Sequence, residues 1–260
     1  MRTNYYYREV FGRKNPVKEF LVTFFISISS GPRLLLEVFI RKNFGERYFS
    51  FTISIINTFV LLFIPFILDS IKNTFRGGFG YGGESSGFWH VIGTNILWYL
   101  FLAAFMYFSW LRRKEIKRSR SSFDFGKFSK YSGDIDKRFK DVQITGRPAT
   151  IREIETMLEP LPFFVIGFVL MLIGQSLGIL LFICSIIYAL SNRGAYYIGD
   201  NAMLDIIDKV IINENLKEFF VNGKESNEAA GFRSYSHRPS NPDDGQKAYE
   251  AGFDDFEEVK

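Results

Sequence analysis

"LPFFVIGFVLMLIGQSLGILLFICSIIYAL", residues 161–190, runs for thirty residues without a formal charge, and "GQSLG" (174–178) stands at its centre. Read as one helix, this stretch crosses a membrane once and sends the last seventy residues to the far side. Read as two helices, it turns back on itself and returns them to the near side. Thirty helical residues measure about 45 Å, against about 30 Å of hydrocarbon, so a single tilted helix fits. Split at Gln175, each half measures only about 22 Å and falls short of the core. A hairpin tip would also leave backbone polar groups at membrane depth, where only surrounding protein or water can satisfy them.

The small residues favour the single helix. Gly167, Gly174, Gly178 and Ser185 are spaced 7, 4 and 7 apart, which keeps them within roughly 40° of one another on a continuous helix. Gly174 and Gly178 form a G-x-x-x-G step of the kind that lets two helices approach closely. This stripe is the expected helix-packing face. Gly-Gln-Ser-Leu-Gly also has the composition of a turn, so a re-entrant hairpin is the alternative for this segment.

Two further uncharged runs flank it upstream. Residues 48–71 carry a single charge, Asp69, near their end, and residues 91–111 carry none. Each is long enough to cross a bilayer; Pro65 should kink the first, which neighbouring helices can tolerate. The fold class expected is therefore all-α: a polytopic helical membrane protein with three spans (48–71, 91–111 and 161–190) and an amphipathic helix after the last. The composition agrees: 47% of residues are hydrophobic and 18% aromatic, gathered in blocks rather than dispersed at helix or strand period.

Lys and Arg near the span ends set the expected orientation. Arg33, Arg41, Lys42 and Arg47 precede the first span, and Arg112, Arg113, Lys114, Lys117, Arg118 and Arg120 follow the second. The Gly-rich connector 73–90 holds only Arg76. The N-terminal segment and the 112–160 loop should thus be cytoplasmic, in a cell (inner) membrane. The six cations after the second span are placed to contact anionic headgroups, at about 1 kcal/mol each. Residues 1–47 read as a cytoplasmic segment with amphipathic helices in the interface, "RLLLEVFIRK" (33–42) among them. No A-x-A-like site follows the apolar core at 20–28, a long segment precedes it and Arg33 comes closely after, so a cleaved secretory signal is not expected.

Thr150 and Glu153 have capping-box spacing, and Pro160 should end the short helix they start. After the third span, residues 191–222 form an amphipathic helical segment whose apolar positions include Met203, Leu204, Ile207 and Ile211. Residues 223–260, rich in Gly, Ser, Asn, Pro and Asp, are expected to be a disordered acidic tail. Residues 191–260 hold eight Lys/Arg against fourteen Asp/Glu, or −6; the net charge of +4 leaves +10 for the rest.

Chemistry is sparse. The two histidines, His90 and His237, and the lone Cys184 do not make a zinc set, and no Walker, G-x-S-x-G or H-E-x-x-H pattern occurs. No cofactor, metal or nucleic acid is expected, and no enzymatic activity. Asn57, Asn95 and Gln175 are polar residues within the spans that can hold helices together by hydrogen bonds. The functional expectation is a scaffold or anchoring subunit of a larger membrane assembly, such as a secretion, transfer or envelope machine. Its partners would be the anionic bilayer and other membrane subunits or further copies of itself. A small oligomeric channel or transporter lined by those three residues is the alternative.

Overall fold

The computed structural model describes residues 15–76, 87–118, 128–144, 146–224, 237 and 239–257. The chain divides into two compact units, one of Val17–Ala195 and one of Met1–Pro16 together with Tyr196–Lys260. It is mostly helical, with three helices long and apolar enough to cross a membrane, or up to five if each of two bent helix pairs is one span.

The first unit begins with α1 (Pro16–Ile28) and α2 (Ser30–Ile40), bent by 57° at Ser29. Then come α3 (Phe51–Arg76), the short α4 (Phe88–Thr94) and α5 (Ile96–Arg118). A one-turn helix, α6 (Lys137–Lys140), precedes a two-residue antiparallel ladder of β1 (Gln143–Ile144) and β2 (Arg147–Pro148). The next helical run combines α7 (Ile151–Glu153), a π turn (Ile154–Leu158) and α8 (Pro160–Leu172). α9 (Ser176–Phe220) follows; its residues 176–195 belong to the first unit and 196–220 to the second.

The stretch 161–190 is a hairpin, which corrects the single-helix expectation. α8 stops at Leu172, and Gly174 takes φ +82°, a conformation nearly free only for glycine. The Gln175 N–H donates to the Leu170 carbonyl (2.9 Å) and the Gly174 N–H to the Met171 carbonyl (3.0 Å). That paired pattern is the Schellman ending of a helix. α9 then packs back along α8. A Cβ on Gly178 would lie 2.3 Å from the Met171 nitrogen, and one on Gly167 would lie 2.6 Å from the Phe182 nitrogen. The two backbones touch, so these positions admit only glycine. The length argument failed because the helices outrun the uncharged segment. The run from Ile151 to Leu172 has 22 residues, or about 33 Å. The charges beyond residues 161 and 190 continue the helices instead of ending them.

Pro160 therefore does not terminate the preceding helix. It lacks an N–H and its ring crowds the carbonyl four residues back, and the chain absorbs this by widening one turn. The Glu159 N–H donates to the Ile154 carbonyl (2.9 Å) in place of Glu155. The capping box is present as expected, with Thr150 and Glu153 bonded reciprocally.

The two upstream apolar runs each accommodate an irregular residue. Pro65 leaves the Leu61 carbonyl without its helical donor, and the Trp98 indole N–H supplies one at 2.9 Å. α3 consequently runs through its proline unbroken. The second uncharged run is bent: α4 meets α5 at 74°, at Asn95. There the Asn95 amide donates to the Val91 carbonyl of the preceding turn (3.0 Å).

The core of this unit gathers Leu34, Leu35, Leu36 and Val38 from α2 with Trp98, Leu102 and Phe105 from α5 and Leu177, Leu181 and Tyr188 from α9. Phe39 stacks on Phe101 at 5.4 Å and meets Phe108 and Phe163. Within residues 33–42, expected to be an interfacial helix, Leu34–Val38 and Arg41 are buried against protein. α1 does keep an exposed apolar face of Val17, Phe20, Leu21 and Phe24.

In the second unit, the segment 201–222 is the latter part of α9 rather than a separate helix. Within the segment expected to be a disordered tail, α10 (Pro242–Glu257) is a helix. The Asn241 side chain accepts from the Asp243 N–H (3.2 Å), Pro242 follows it, and Asp243 and Asp244 occupy the first turn. Each is a favourable helix-start feature. Gly245 lies so close to the Phe220 carbonyl that a Cβ would be 2.3 Å from its oxygen. "FDDFEEV" (253–259) reaches past the described residues.

Candidate functional site: a buried polar cluster at one end of the bundle

Three pairs of polar residues spaced four apart stand on separate helical segments. Glu37 and Arg41 lie on and just after α2, with Arg33 one turn earlier; Glu155 and Glu159 lie on the π turn and its end; Tyr188 and Asn192 lie on α9. Spacing of four puts each pair on one helical face, and the hairpin brings the faces together.

Arg41 is at the centre, 1% exposed, against Glu159 at 0%. Its Nε donates to both Glu159 oxygens (3.0 and 3.1 Å), and its Nη2 reaches both Glu159 and Glu155, the latter at 3.0 Å. Its Nη1 donates to the Ser132 hydroxyl (3.1 Å). Glu159 also accepts from the Tyr188 phenol at 2.5 Å. A second set adjoins the first. Arg33 donates to Glu37 (2.9 Å) and to the Tyr48 phenol (2.9 Å), and Tyr48 donates to Glu37 (2.9 Å). The Arg33 guanidinium stands 5.6 Å from the centre of the Tyr188 ring, linking the two sets. Burial and the Glu37 carboxylate both push the Tyr48 phenol up from its ordinary value, so it stays a neutral donor.

The π turn has a consequence here. It releases the Glu155 carbonyl from its helical donor, and the Asn192 amide donates to that oxygen at 2.8 Å. The widened turn, the hairpin and the ion pairs are thus one construction. Desolvating a guanidinium and a carboxylate costs several kcal/mol per ion, and only near-complete pairing offsets it. The cluster is saturated with partners, so its role is to hold α2, the Ser132 loop and the hairpin in one register.

Backbone bonds close the same end. The Gly45 N–H donates to the Tyr131 carbonyl (2.8 Å), the Arg47 N–H to Ser129 (2.8 Å) and the Asp134 N–H to Lys42 (2.7 Å). The Tyr131 phenol, donating to Asp134, is pushed above its ordinary value by that carboxylate. A Cβ on Gly45 would lie 2.3 Å from the Ser129 oxygen, so the strands of this loop admit nothing larger.

The residues singled out in the sequence are distributed otherwise. Gly167 and Gly178 pack against each other, Gly174 makes the turn, and Ser185 bonds the Phe182 carbonyl of its own helix (2.8 Å). The stripe is consumed inside the hairpin. Asn57 lies opposite Gly31, whose Cβ position is 3.6 Å from it, and its Nδ2 is buried with no hydrogen-bond partner. Asn95 serves the bend, and Gln175 lies in the turn, its N–H and carbonyl both bonded. Among the described residues, no hydrogen bond joins any two of these three.

Of the expected headgroup contacts, Arg112 is instead buried. It donates to the Val38 carbonyl (3.2 Å), an acceptor left over at the end of α2, and to Glu115 (2.7 Å). Arg113 is exposed and lies 4.5 Å from the Phe51 ring centre, and Lys114 lies 3.3 Å from that of Trp110. Such cation–aromatic pairs suit the headgroup level. The Lys117 and Arg118 side chains and all of Arg120 lie outside the described residues.

Sequence reasoning missed Glu37, Arg41, Glu159 and Tyr188. The available signal was the spacing of four in all three polar pairs, one of them just before the apolar run 161–190 and one straddling its end. Among the described residues, no three His, Cys, Asp or Glu side chains are grouped to hold a metal. No protein-family model matches the chain, and no curated protein or solved structure matches it.

Proposed function

We propose that this protein is a membrane-anchored scaffold subunit whose working surface is the apolar stripe on the later part of α9. The observation that carries this reading is the apolar stripe on α9. Met203, Leu204, Ile206, Ile207, Val210 and Ile211 are 39–57% exposed among the described residues. An apolar stripe on a helix calls for a partner surface.

The hairpin supports the arrangement. Tyr188 and Asn192 stand level with Glu159 and Glu155, so α9 reaches Ala195 at the end where α2 and the Ser132 loop meet. Lys and Arg near the spans favour the cytoplasm for that end, in a cell (inner) membrane. α3, α5, α8 and the first part of α9 are the anchor, and α4, at 74° to α5, suits the opposite interface with Trp89 exposed.

The test is topology combined with assembly state. A reporter placed after Asn222 is expected on the same side as one placed in the 128–136 loop. Purification in mild detergent is expected to yield a complex that Ile207→Asp disperses. Opposite sidedness of the two reporters, or a monomer in both cases, overturns the reading. Solute flux that disappears with Gln175→Ala would replace it with the channel.

A further inference from the structure

The stripe on α9 ends in a carboxylate. Met203, Ile207, Val210 and Glu214 are spaced 4, 3 and 4 apart, the repeat that lines up one seam for a second helix to pack on. At 100° per residue these four fall within about 60° of one another. Leu204 and Ile211 widen the seam on one side and Ile206 on the other. All seven residues are exposed.

Glu214 makes the seam selective. A carboxylate in line with apolar residues is costly under an apolar partner and favourable under a cation. A parallel pair of two copies would set Glu214 against its own counterpart. Either arrangement of two copies would bring acidic surfaces together, because Tyr196–Lys260 holds seven Lys/Arg against fourteen Asp/Glu, or −7. The helix itself has the same sign over 203–218, with Asp205, Asp208, Glu214 and Glu218 against Lys209 and Lys217. An anionic leaflet repels such a surface. The occupant that matches both the spacing and the charge is a helix with an apolar seam and basic flanks.

We infer that the Met203–Glu214 seam binds a basic amphipathic helix of another protein, one of whose cations pairs with Glu214. The inference rests on the scaffold reading for the existence of a partner and adds the chemistry of that partner. Apolar contact along the seam supplies the bulk of the affinity. The Glu214 pair supplies the discrimination, since an acidic helix would meet like charge there.

The experiment uses the full chain in mild non-ionic detergent, with Cys184 retained because its thiol is buried. Ile207→Cys on the seam, or Asp205→Cys on the opposite face, is labelled with a soluble maleimide in the presence of synthetic helical peptides. One peptide has a leucine seam flanked by Lys. The second has Glu for every Lys, and the third keeps the Lys composition but scatters the leucines off the seam. The Lys peptide is expected to slow labelling of Ile207→Cys several-fold, at a several-fold lower concentration than the Glu peptide, and to leave Asp205→Cys unprotected. Adding Glu214→Lys should reverse the order of the two seam peptides. That order should also vanish at about 1 M salt, where the screening length is about 3 Å.

Equal protection by the Lys and Glu peptides, or an order that Glu214→Lys leaves unchanged, overturns the inference. Equal protection by the scattered peptide also overturns it, because it reports basic charge without a seam. Protection of Ile207→Cys with no peptide present, lost on dilution of the protein, gives the seam to a second copy. Protection by anionic vesicles alone gives it to lipid, and either result overturns the basic partner. A complex that Ile207→Asp disperses, in a protein that does not distinguish the peptides, keeps the scaffold and removes only the basic helix. The two ideas therefore fail separately.

Discussion

The two parts of α9 invert the usual distribution of residues. Before Ala195, the polar side chains of Tyr188, Ser191 and Asn192 are buried; after it, the apolar side chains of Met203 to Ile211 are exposed. Both parts obey the same physics. Tyr188 and Asn192 can leave water because Glu159 and the Glu155 carbonyl receive their hydrogen bonds. The stripe stays exposed because nothing of matching shape and charge in the described chain reaches it. Burial along this helix follows from which partners are present, and polarity alone does not decide it.

The contrast can be broken most severely at Arg41. Arg41→Ala leaves the buried Glu159 carboxylate without its counter-ion, held by the Tyr188 phenol alone, and should cost about 3–5 kcal/mol. Thermal unfolding in detergent should show this, and replacing both partners together (Arg41→Met with Glu159→Leu) should recover much of the loss. If the double variant is no better than the single one, the charges have a role beyond mutual neutralisation.

Gly178→Ala tests the hairpin itself. A methyl group 2.3 Å from the Met171 nitrogen forces α8 and α9 apart and should cost about 1–3 kcal/mol as overpacking does. The same change at Gly174 should cost less, since nothing lies within 4 Å there and only its positive φ resists. Equal effects at the two positions would contradict the helix contact.

Asn192→Ala should cost about 1–3 kcal/mol, because it leaves the carbonyl released by the π turn unsatisfied in a buried site. Hydrogen exchange in the 151–160 segment is expected to rise selectively. At the far part of the helix, Ile207→Asp should shift stability by no more than about 0.5 kcal/mol, as exposed substitutions do. It should nevertheless abolish assembly measured by native mass. Large destabilisation by this variant would mean that the stripe is core and not a surface.

Much of the fold was legible. Runs of twenty or more uncharged residues at 48–71 and 161–190 mark segments able to leave water, and Thr150 with Glu153 marks a helix start that forms as expected. The start of α10 was equally readable in Asn241-Pro242-Asp243-Asp244, but the surrounding Gly and Ser content masked it. Chain length misled at the hairpin. The uncharged run is a lower bound on helix length, because paired charges extend a buried helix as well as apolar residues do. The glycine stripe was expected to be a helix-packing face on one long helix; a turn at Gly174 instead sets Gly167 against Gly178 within the hairpin.

The sequence by itself determined a helical, membrane-compatible chain with a basic front and an acidic end, because hydropathy and charge are properties of each segment alone. Tertiary structure decided that the third apolar run is a hairpin and that the Arg41 guanidinium and the Glu159 carboxylate are buried together at one end of it. Arg41 and Glu159 are 118 positions apart. Each is unfavourable out of water until the other arrives, and that mutual dependence has no trace in any local window.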